Sequence, residues 1–471
     1  MSRRSLARLI AVLLSINLAA SACGQVSVSG ATAAMERAST YFTERLSRHG
    51  GYVYFYSLDL SKRFGEGSAS EDQIWVQPPG TPTVGNAFLD AFGATQDSRY
   101  LKAAKEAADA LLYGQLKSGG WRNAIDFDPT GTQVDEYRNG KGHGKNYSTL
   151  DDGITQAALQ FLIRLDETLR FQDANLHAAV GLGLDSLLSA QYPNGAFPQV
   201  WQGPSEPHPP QSTAYPTYDW RTEGRVKQYW LLYTLNDNVA GNVVATLRLA
   251  MATYDDPRYQ RALAALGDFL IAAQMPQPQP AWAQQYRFDM IPAWARKFEP
   301  PAIASSESQD VIAALMTIYE ATGQSRYLEP IPAALEYLSH SLLPSGEFAR
   351  YYELQSNRPL YMQRDGDNYQ LTYDDRDLPK HYGWKIESHL TSLTERYRSL
   401  QTAQASQSTA VPQEQVQQIV ESLDSQGRWI STYDGQRLVG QPKFAIGQQY
   451  LSSEVFSRNL SVLADYVKQN R

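Results

Sequence analysis

Amphipathic helical hairpins recur along the sequence, and this repetition restricts the possible folds more than any other property of the chain. Copies cover residues 86–121, 242–282 and 309–350, and a looser copy covers 155–201. A hairpin with one apolar face is stable only when neighbouring hairpins cover that face. A repeat spacing of roughly 70–90 residues exceeds that of the common solenoids, which favours hairpins arranged around an axis. We therefore predict a mainly α fold, an α/α toroid with long loops and a few short strands.

The loops that close the hairpins are expected to carry the function. They are long and rich in Gly, Pro and aromatic residues, and the longest cover residues 120–150 and 202–226. In a toroid such loops gather at one end, where a rigid scaffold holds them around a cleft. A β-helix is disfavoured as an alternative scaffold because the apolar period is helical.

The N-terminus has the pattern of an export signal over residues 1–22. Three arginines precede an apolar run at 9–18, which is too short to span a bilayer, and small residues at 20–22 offer a cleavage site. Cys23 follows at once and is the only cysteine of the chain. It resembles the lipidated residue of a bacterial lipoprotein signal, and ordinary cleavage that leaves a free thiol is the alternative. We expect an exported protein, either anchored by lipid in the periplasm or at the cell surface, or secreted.

The rest of the 471 residues is long enough for one large domain. A small-residue stretch after the cysteine is typical of a tether, and a stretch rich in Gln, Ser, Thr and Ala is typical of a linker. We expect the C-terminal segment to dock on the toroid. The predicted order is a signal peptide at 1–22, a tether at 23–34, the toroid at 35–400, a linker at 401–414 and the C-terminal segment at 415–471.

Composition excludes several classes of function. The formal net charge is −7 and 19% of residues are charged, so the chain lacks the basic character of nucleic-acid-binding proteins. The seven histidines have no metal-ligand spacing, and the sequence has no H-E-x-x-H, G-x-S-x-G or phosphate-binding glycine loop. The 29 tyrosines suit sugar rings, but their use in a large core is the favoured interpretation. We expect a monomer that binds no nucleic acid and meets a membrane only through its lipid anchor.

Two acidic turns stand just before predicted helices. One contains Asp151 and Asp152 in L-D-D-G, and the other contains Asp237 in N-D-N. In each turn, one interpretation of an aspartate is the N-cap of the helix that follows. Together the turns also offer hard oxygen ligands from two neighbouring hairpins, which is what Ca²⁺ requires. Both interpretations are open at this point.

Arg296 lies between Trp294 and Phe298 in a loop that Pro300 and its neighbouring proline keep from becoming helical. An arginine here can be purely structural, stacked on the aromatic residues and paired with Glu299. It can also face a ligand at the mouth of the toroid, since the loop is predicted to lie at the cleft.

A second basic stretch contains Arg350, Arg358 and Arg364 within an aromatic loop. The planar fork of arginine binds carboxylates through two parallel hydrogen bonds. The stretch therefore indicates a clamp for an acidic ligand, with unpaired surface arginines as the alternative.

Taken together, these segments resemble the pectate lyases of polysaccharide lyase family 10. The resemblance covers roughly residues 85–400. It rests on the acidic turns, on A-R-K-F-E with E-S downstream in 282–308, and on R-Y-Y-E-L-x-x-N-R-P-L-x-x-x-R-D-G in 348–366. It implies an (α/α)₃ toroid that cleaves polygalacturonate by Ca²⁺-dependent β-elimination. The sequence departs from the family at 367–381 and in an apparent insertion at 202–226, which leaves the identity of the uronate open.

The resemblance also assigns roles to individual residues. Asp152 stands where the family has Asn, and Trp294 lies beside the implied base. The implied assignment is Asp151 and Asp237 as metal ligands, Arg296 as Brønsted base, and Arg350, Arg364, Asp152 and Trp294 as substrate contacts.

The residue types are consistent with β-elimination of a uronate. The reaction removes the C5 proton beside a carboxylate, so Ca²⁺ and arginines that neutralise this carboxylate would stabilise the developing enolate. With an ordinary pKa near 13, an arginine is neutral in a fraction of only about 10⁻⁴ at pH 9. We expect burial and a nearby Ca²⁺ to disfavour the cation of Arg296, and hence an alkaline optimum.

Two other functions fit the sequence less well. An inverting glycoside hydrolase would pair Asp151 or Asp152 with Asp237 or Glu307 across the scissile bond. A surface lipoprotein that binds glycans without turnover would use the tyrosine-rich cleft.

Overall fold

The computed structural model describes residues 26–471 apart from 210, 224 and 403–409. The predicted signal peptide and Cys23 lie outside the described residues. Most of the ordered structure is α-helix. The helices are α1 Val28–Tyr41, α2 Thr81–Thr95, α3 Ser98–Tyr113, α4 Ile154–Thr168, α5 Ala174–Ala190, α6 Val239–Thr253, α7 Pro257–Ala272, α8 Ser305–Thr322, α9 Ile331–His340, α10 Leu390–Gln401, α11 Gln413–Glu421 and α12 Ser453–Gln469.

The helices form a ring of hairpins, each made of one outer and one inner helix. The even-numbered helices are the inner ones, and α12, α2, α4, α6, α8 and α10 pack side by side in that order. The odd-numbered helices lie outside: α3 packs on α2 and α4, α7 on α6 and α8, and α9 on α8 and α10. The predicted α/α toroid is thus confirmed. Over the described residues it contains six hairpins, whereas the resemblance implied an (α/α)₃ ring.

Local sequence signals explain where the outer helices begin. The side chains of Asp97, Asp173 and Asp256 each accept a hydrogen bond from a backbone N–H in the first turn of α3, α5 and α7. Such N-caps satisfy donors that the helix itself leaves unpaired. The inner helices are held mainly by packing, since they carry buried residues at helical spacing along much of their length.

A buried tryptophan closes three of the hairpins in the same way. The indole Nε1 groups of Trp121, Trp282 and Trp429 each donate to a carbonyl of the preceding outer helix, at 2.8, 2.8 and 2.9 Å. The third of these belongs to the pair α11 and α12. The C-terminal segment therefore repeats the hairpin found elsewhere in the ring, and α12 packs against α2 and α1.

The strands are short and lie mostly in the loops. They are β1 Phe55–Ser57, β2 Arg63–Gly65, β3 Gly67–Ala69, β4 Gln73–Trp75, β5 Ala124–Asp126, β6 Ser148–Thr149, β7 Val200–Trp201, β8 Tyr233–Thr234, β9 Gln285–Tyr286, β10 Ile303–Ala304, β11 Phe348–Ala349, β12 Tyr351–Tyr352, β13 Pro359–Asp365, β14 Asn368–Thr372, β15 Lys385–Ile386, β16 Ile430–Thr432 and β17 Gln449–Ser452.

Strand pairing links successive loops around the ring. Antiparallel pairs join β6 to β7 and β8 to β9, and a four-stranded sheet has the order β10-β12-β13-β14. The largest sheet, β16-β17-β1-β2-β3, joins the first and last hairpins, with Tyr56 opposite Leu451. The ends of the described chain are therefore tied together through both this sheet and the contact of α12 with α2.

Two boundaries differ from the sequence-based expectation. Helix α1 begins at Val28, inside the predicted tether, and Ala31 and Ala34 are buried in it. Small residues suggested a tether, but alanine is also the strongest helix former. Of the predicted linker, residues 403–409 lie outside the described part, and α11 begins within the remainder. None of the helices in the described residues is both long and apolar enough to cross a membrane.

The direction of the helices gives the ring two unlike ends. In every hairpin the outer helix leads through the long loop into the inner helix, so the six inner helices all begin at the end where these loops gather. We call this the cleft end. The N-terminus of a helix carries a partial positive charge, so the cleft end is electrostatically suited to an anionic ligand.

Candidate active site

The two acidic turns adopt the same conformation at the start of two neighbouring inner helices. Residues 151–153 and 236–238 each form one short 3₁₀ turn directly before α4 and α6, and the two turns contact each other. Asp152 and Asp237 have φ values of 47° and 52°. This left-handed region is costly for most residues, and Asp and Asn tolerate it best.

These aspartates are not helix caps. No side chain caps α4, and α6 is capped by Asn238, whose side chain accepts from the N–H of Gly241. The cap interpretation is therefore wrong for the aspartates of both turns, although Asn238 of the second turn does cap α6. What holds the carboxylates instead is a set of side-chain amides.

Each of the three carboxylates accepts a hydrogen bond from a neutral amide. Gln199 Nε2 donates to Asp151 at 2.5 Å, and Gln77 Nε2 donates to Asp152 at 2.8 Å. The side chain of Asn236 donates to Asp237. Amide donors orient a carboxylate without cancelling its charge, so the three acids remain in mutual repulsion.

The repulsion is visible in their proton affinities. Burial raises the pKa of Asp237 well above its ordinary value, and the charges of Asp151 and Asp152 raise it further. Burial also raises the pKa of Asp152 to about 6, together with the charges of Asp151 and Glu66. A cation placed among these groups would relieve the repulsion.

The donor atoms are of the type that Ca²⁺ accepts. The buried Oδ1 of Asn236, next to Asp237, has no hydrogen-bond partner among the described residues and adds a carbonyl oxygen to the carboxylates. Within the same described residues, no group of three or more His, Cys, Asp or Glu side chains is arranged to hold a metal ion. The described residues thus offer a few oxygen donors at the acidic turns and no complete set of metal ligands.

Arg296 lies across from these turns in the loop after β9. Its Nε donates to Glu299 Oε2 at 2.8 Å and its Nη2 to Glu299 Oε1 at 2.5 Å, while the guanidinium lies 4.9 Å from the ring centre of Phe298. Glu299 is buried, whereas 41% of the Arg296 side chain is exposed. The structural pairing weighed from the sequence is therefore present, and the arginine also reaches the cleft.

This pairing acts on the protonation of Arg296. Burial lowers the pKa of the guanidinium, as expected from the sequence, but the hydrogen bonds and charge of Glu299 outweigh that effect. The net result is a pKa above the ordinary value of arginine. In this structure Glu299 stabilises the cation that the expected desolvation would have disfavoured.

Arg350 is anchored in a related manner. Its Nη2 lies 3.7 Å from Glu307 Oε1, and the two side chains are only 14% and 1% exposed. Arg350 Nε and Glu307 Oε2 are buried and have no hydrogen-bond partner among the described residues. Both atoms are enclosed by protein, and a buried polar atom without a partner is costly.

Tyr382 connects the two arginines. Its hydroxyl donates to Glu299 Oε1 at 3.0 Å, and its ring centre lies 4.5 Å from the guanidinium of Arg350 and 5.7 Å from that of Arg296. Sequence reasoning missed this residue because it follows the stretch that departs from the family. No local pattern marks it.

The acidic turns and the arginines face each other across one site. The charge of Arg296 opposes the upward pKa shift that burial imposes on Asp152. In turn the charge of Asp237 contributes to the raised pKa of Arg296. The structure thus brings together residues that the sequence separates by 145 positions, from 151 to 296.

Two of the residues assigned to substrate binding lie elsewhere. Arg364 is on β13 at the edge of the cleft, 45% exposed, and its Nε donates to the carbonyl of Gly366 at 2.8 Å. Trp294 is buried at 5% exposure, and its Nε1 donates to the carbonyl of Arg296 at 2.9 Å. Contrary to the expectation, Trp294 supports Arg296 from behind and does not line the cleft surface.

The repeat itself contains a signal that would have located further residues of the site. In four closing loops a buried aromatic residue is followed two positions later by a polar residue that faces the cleft end. The pairs are Trp121 with Asn123, Phe197 with Gln199, Trp282 with Gln284, and Phe348 with Arg350.

Comparison with known proteins confirms the resemblance stated from the sequence. A sequence model of the family described as Pectic acid lyase matches residues 115–343. The matched part of the chain is therefore similar to the pectic acid lyase family. It contains Asp151, Asp237 and Arg296, whereas Arg350 lies just beyond it. The enzyme is a polysaccharide lyase, as the sequence predicted.

Solved structures with a similar course of the chain include two of a family 10 polysaccharide lyase from Cellvibrio cellulosa. A point mutant in complex with trigalacturonic acid is 21% identical, with a TM-score of 0.47 over 67% of this chain and 99% of that one. The second is 22% identical, with a TM-score of 0.47 over 66% and 94%. A D-mannose isomerase is 13% identical, with a TM-score of 0.44 over 80% and 98%. No curated protein matches the sequence significantly.

Proposed function

We propose that this lyase is an exported enzyme that cleaves polygalacturonate or a related uronate polymer by Ca²⁺-dependent β-elimination. The observation that carries the proposal is the opposition of two charged groups at the cleft end. Arg296 and Arg350 lie on one side, and the turns with Asp151 and Asp237 lie on the other. This arrangement suits a sugar that is itself an anion.

Asp151 and Asp237 would hold the calcium ion. Both offer carboxylate oxygens from turns that contact each other, and the repulsion between them would be relieved by a divalent cation. When bound, the ion would withdraw charge from the uronate carboxylate and so acidify the proton on C5. Removal of the carboxylates is therefore expected to abolish both ion binding and turnover.

Arg296 is proposed to take the C5 proton. The C5–H bond breaks, a double bond forms between C4 and C5, and the C4–O bond breaks as the leaving oxygen gains a proton. Because Nε and Nη2 are held by Glu299, the remaining nitrogen, Nη1, would accept the proton. The guanidinium must first lose a proton, which the charge of Glu299 makes harder, so the active fraction increases with pH.

Arg350 is proposed to bind the uronate carboxylate. Its side chain is 14% exposed, and Glu307 and the ring of Tyr382 fix the plane of the guanidinium. Arg364, at the more exposed edge, would contribute charge to a neighbouring sugar. Asp152, where a neutral amide is usual in the family, would contact the substrate next to the calcium ion.

The deciding experiment follows unsaturated sugar in the ultraviolet after the enzyme is mixed with polygalacturonate and Ca²⁺. We expect absorbance to increase, and the increase to vanish with a chelator and in Arg296→Ala. Arg258→Ala is the matched control, because Arg258 is an exposed arginine at the opposite end of the ring, paired with Asp256. New reducing ends without absorbance would instead indicate an inverting hydrolase, and binding without turnover would indicate a glycan-binding protein.

Export and anchoring have their own test. The lipoprotein pattern at Cys23 predicts that the protein fractionates with membranes, and that Cys23→Ser moves it to the soluble fraction outside the cytoplasm. Membrane association unaffected by Cys23→Ser would contradict the anchor.

A further inference from the structure

A cavity of about 480 Å³ begins at the acidic turns, where Asp151 and Asp152 line it, and extends into loops that the proposed chemistry does not use. Its walls come from the loops of the first three hairpins, which supply Glu66, Arg122, Tyr147 and Trp230. Arg296 and the other arginines of the site come from the fourth and fifth hairpins. A chain that passes the acidic turns can therefore extend from the arginines into this cavity.

One wall of the cavity is aromatic. Tyr147, Tyr229 and Trp230 are all partly exposed there, and the rings of Tyr229 and Trp230 meet edge to face at 5.3 Å. Flat rings of this kind pack against the apolar face of a sugar while their polar edges remain hydrated. Tyr229 is also close enough to Arg296 for that charge to influence its pKa, which burial raises, so the wall is continuous with the active site.

Cations lie on the aromatic wall. The guanidinium of Arg122 is 4.8 Å from the ring centre of Tyr147, and that of Arg225 is 5.4 Å from the ring centre of Tyr229. Arg122 is 17% exposed, and its Nη1 donates to the buried Asp135 at 2.5 Å. This bond fixes the guanidinium before any ligand arrives.

The opposite wall is acidic. Glu66 and Asp152 both line the cavity, and Gln77 Nε2 lies between them, 3.3 Å from Glu66 and 2.8 Å from Asp152. A neutral sugar has hydroxyl groups for the acids but no carboxylate for Arg122. A uronate would be oriented by this division of charge, with its carboxylate directed to Arg122 and its hydroxyl groups to the acids.

We propose that this cavity is a distal subsite that binds one uronate residue of the polymer, away from the bond that is cleaved. The volume lies within the range of about 300–1,000 Å³ found for small-ligand sites. Trp230 would stack on the sugar and Arg122 would bind its carboxylate. The proposal rests on the proposed function, and it adds that the enzyme prefers chains long enough to reach the first three hairpins.

The test compares chain lengths. For trigalacturonate and hexagalacturonate, kcat/KM is measured with the full-length enzyme, Trp230→Ala and Arg122→Lys. We expect Trp230→Ala to reduce the hexamer-to-trimer ratio about tenfold, the effect of a loss of about 1.4 kcal/mol in binding. Arg122→Lys keeps a cation beside Asp135 but loses the planar fork, so it should reduce the ratio by a smaller factor.

Phe171→Ala is the control, because Phe171 is an exposed aromatic residue at the far end of α4 from the cleft. A ratio that stays within twofold of the unmodified enzyme in both cavity variants would overturn the subsite. Should the unmodified enzyme cleave no uronate polymer, the proposed function fails and the subsite is judged by calorimetry with hexagalacturonate. Affinity reduced at least fivefold in Trp230→Ala, but not in Phe171→Ala, would support it, and equal affinities would overturn it.

Discussion

The two sides of the active site are built in opposite ways. The acidic turns at 151–153 and 236–238 share one backbone conformation, and neutral amides hold their carboxylates. The arginines lie on dissimilar loops, and each is paired with a buried acid, Glu299 or Glu307. The acidic side therefore has only neutral amides as hydrogen-bond partners for its carboxylates, whereas on the basic side a buried acid pairs with each arginine and fixes its position.

The largest effect is expected at Arg296, on the side of the site where a buried acid pairs with each arginine. Arg296→Ala removes the proposed base and should reduce kcat on polygalacturonate about 10³-fold, the usual contribution of a general base. Arg296→Lys keeps the charge but not the planar fork, so its activity should stay within tenfold of the alanine variant. Full activity of the lysine variant would show that a positive charge at this position is sufficient and that its pairing with Glu299 is not needed to position a base.

The acidic side is tested by measuring the free energy of unfolding with and without Ca²⁺. Asp237→Asn should abolish ion binding, so that Ca²⁺ at 100 times its Kd raises the unfolding free energy of the unmodified protein by about 2.7 kcal/mol but not that of the variant. In the presence of a chelator, Asp237→Asn should be more stable than the unmodified protein, because the substitution removes one of the mutually repelling carboxylates. A variant less stable than the unmodified protein in chelator would show that the repulsion is already relieved by the amides.

A pH profile separates two roles for Arg296. Glu299 raises the pKa of Arg296 above its ordinary value, so the neutral form is scarce and grows tenfold for each unit of pH. If that form is the base, kcat/KM should increase with slope one across the alkaline range. Glu299→Gln removes the partner that raises the pKa, and the rising limb should move to lower pH.

The same substitution has a structural cost that must be measured beside the profile. Glu299 is buried and accepts four hydrogen bonds, one from the Arg296 backbone, two from its guanidinium and one from Tyr382. Loss of its charge should lower the unfolding free energy by about 1–3 kcal/mol. A profile that is flat in both enzymes would mean that Arg296 acts as a cation on the enolate and that another group takes the proton.

The fold was predictable because its signals are local and repeated. Helical periodicity and the turn before each second helix predict the hairpins, and the repetition predicts the ring. The closing Gly-x-Trp at 427–429 is the same signal as at 119–121, but α11 has only nine residues, so the sequence predicts a docking segment and not a sixth hairpin. The start of α1 was missed because its small residues also suit a tether.

The site was predictable only where its chemistry is carried by short motifs. Asp151, Asp237 and Arg296 each stand in a recognisable stretch, and the structure places them together. The burial of Trp294 and the link through Tyr382 depend on loops that are far apart in sequence. Trp294 packs against Trp220, and Tyr382 donates its hydrogen bond to Glu299. No local pattern encodes such contacts, since they arise only when the ring closes.

The smallest effect is expected at Arg364. Comparing it with Arg350 shows whether an arginine of the basic side acts through its fixed position or only through its charge. Arg364 is 45% exposed at the rim, 3.9 Å from the almost fully exposed Asp367, whereas Arg350 is 14% exposed and fixed by Glu307. Rim charges act mainly on encounter and are screened by salt. Arg364→Ala should therefore raise KM about threefold at low salt, with little change in kcat and a smaller effect at high salt. Arg350→Ala should lower kcat at any salt concentration, because an anchored guanidinium orients the reacting sugar. Equal, salt-dependent losses in both variants would mean that the anchoring of Arg350 contributes nothing beyond its charge.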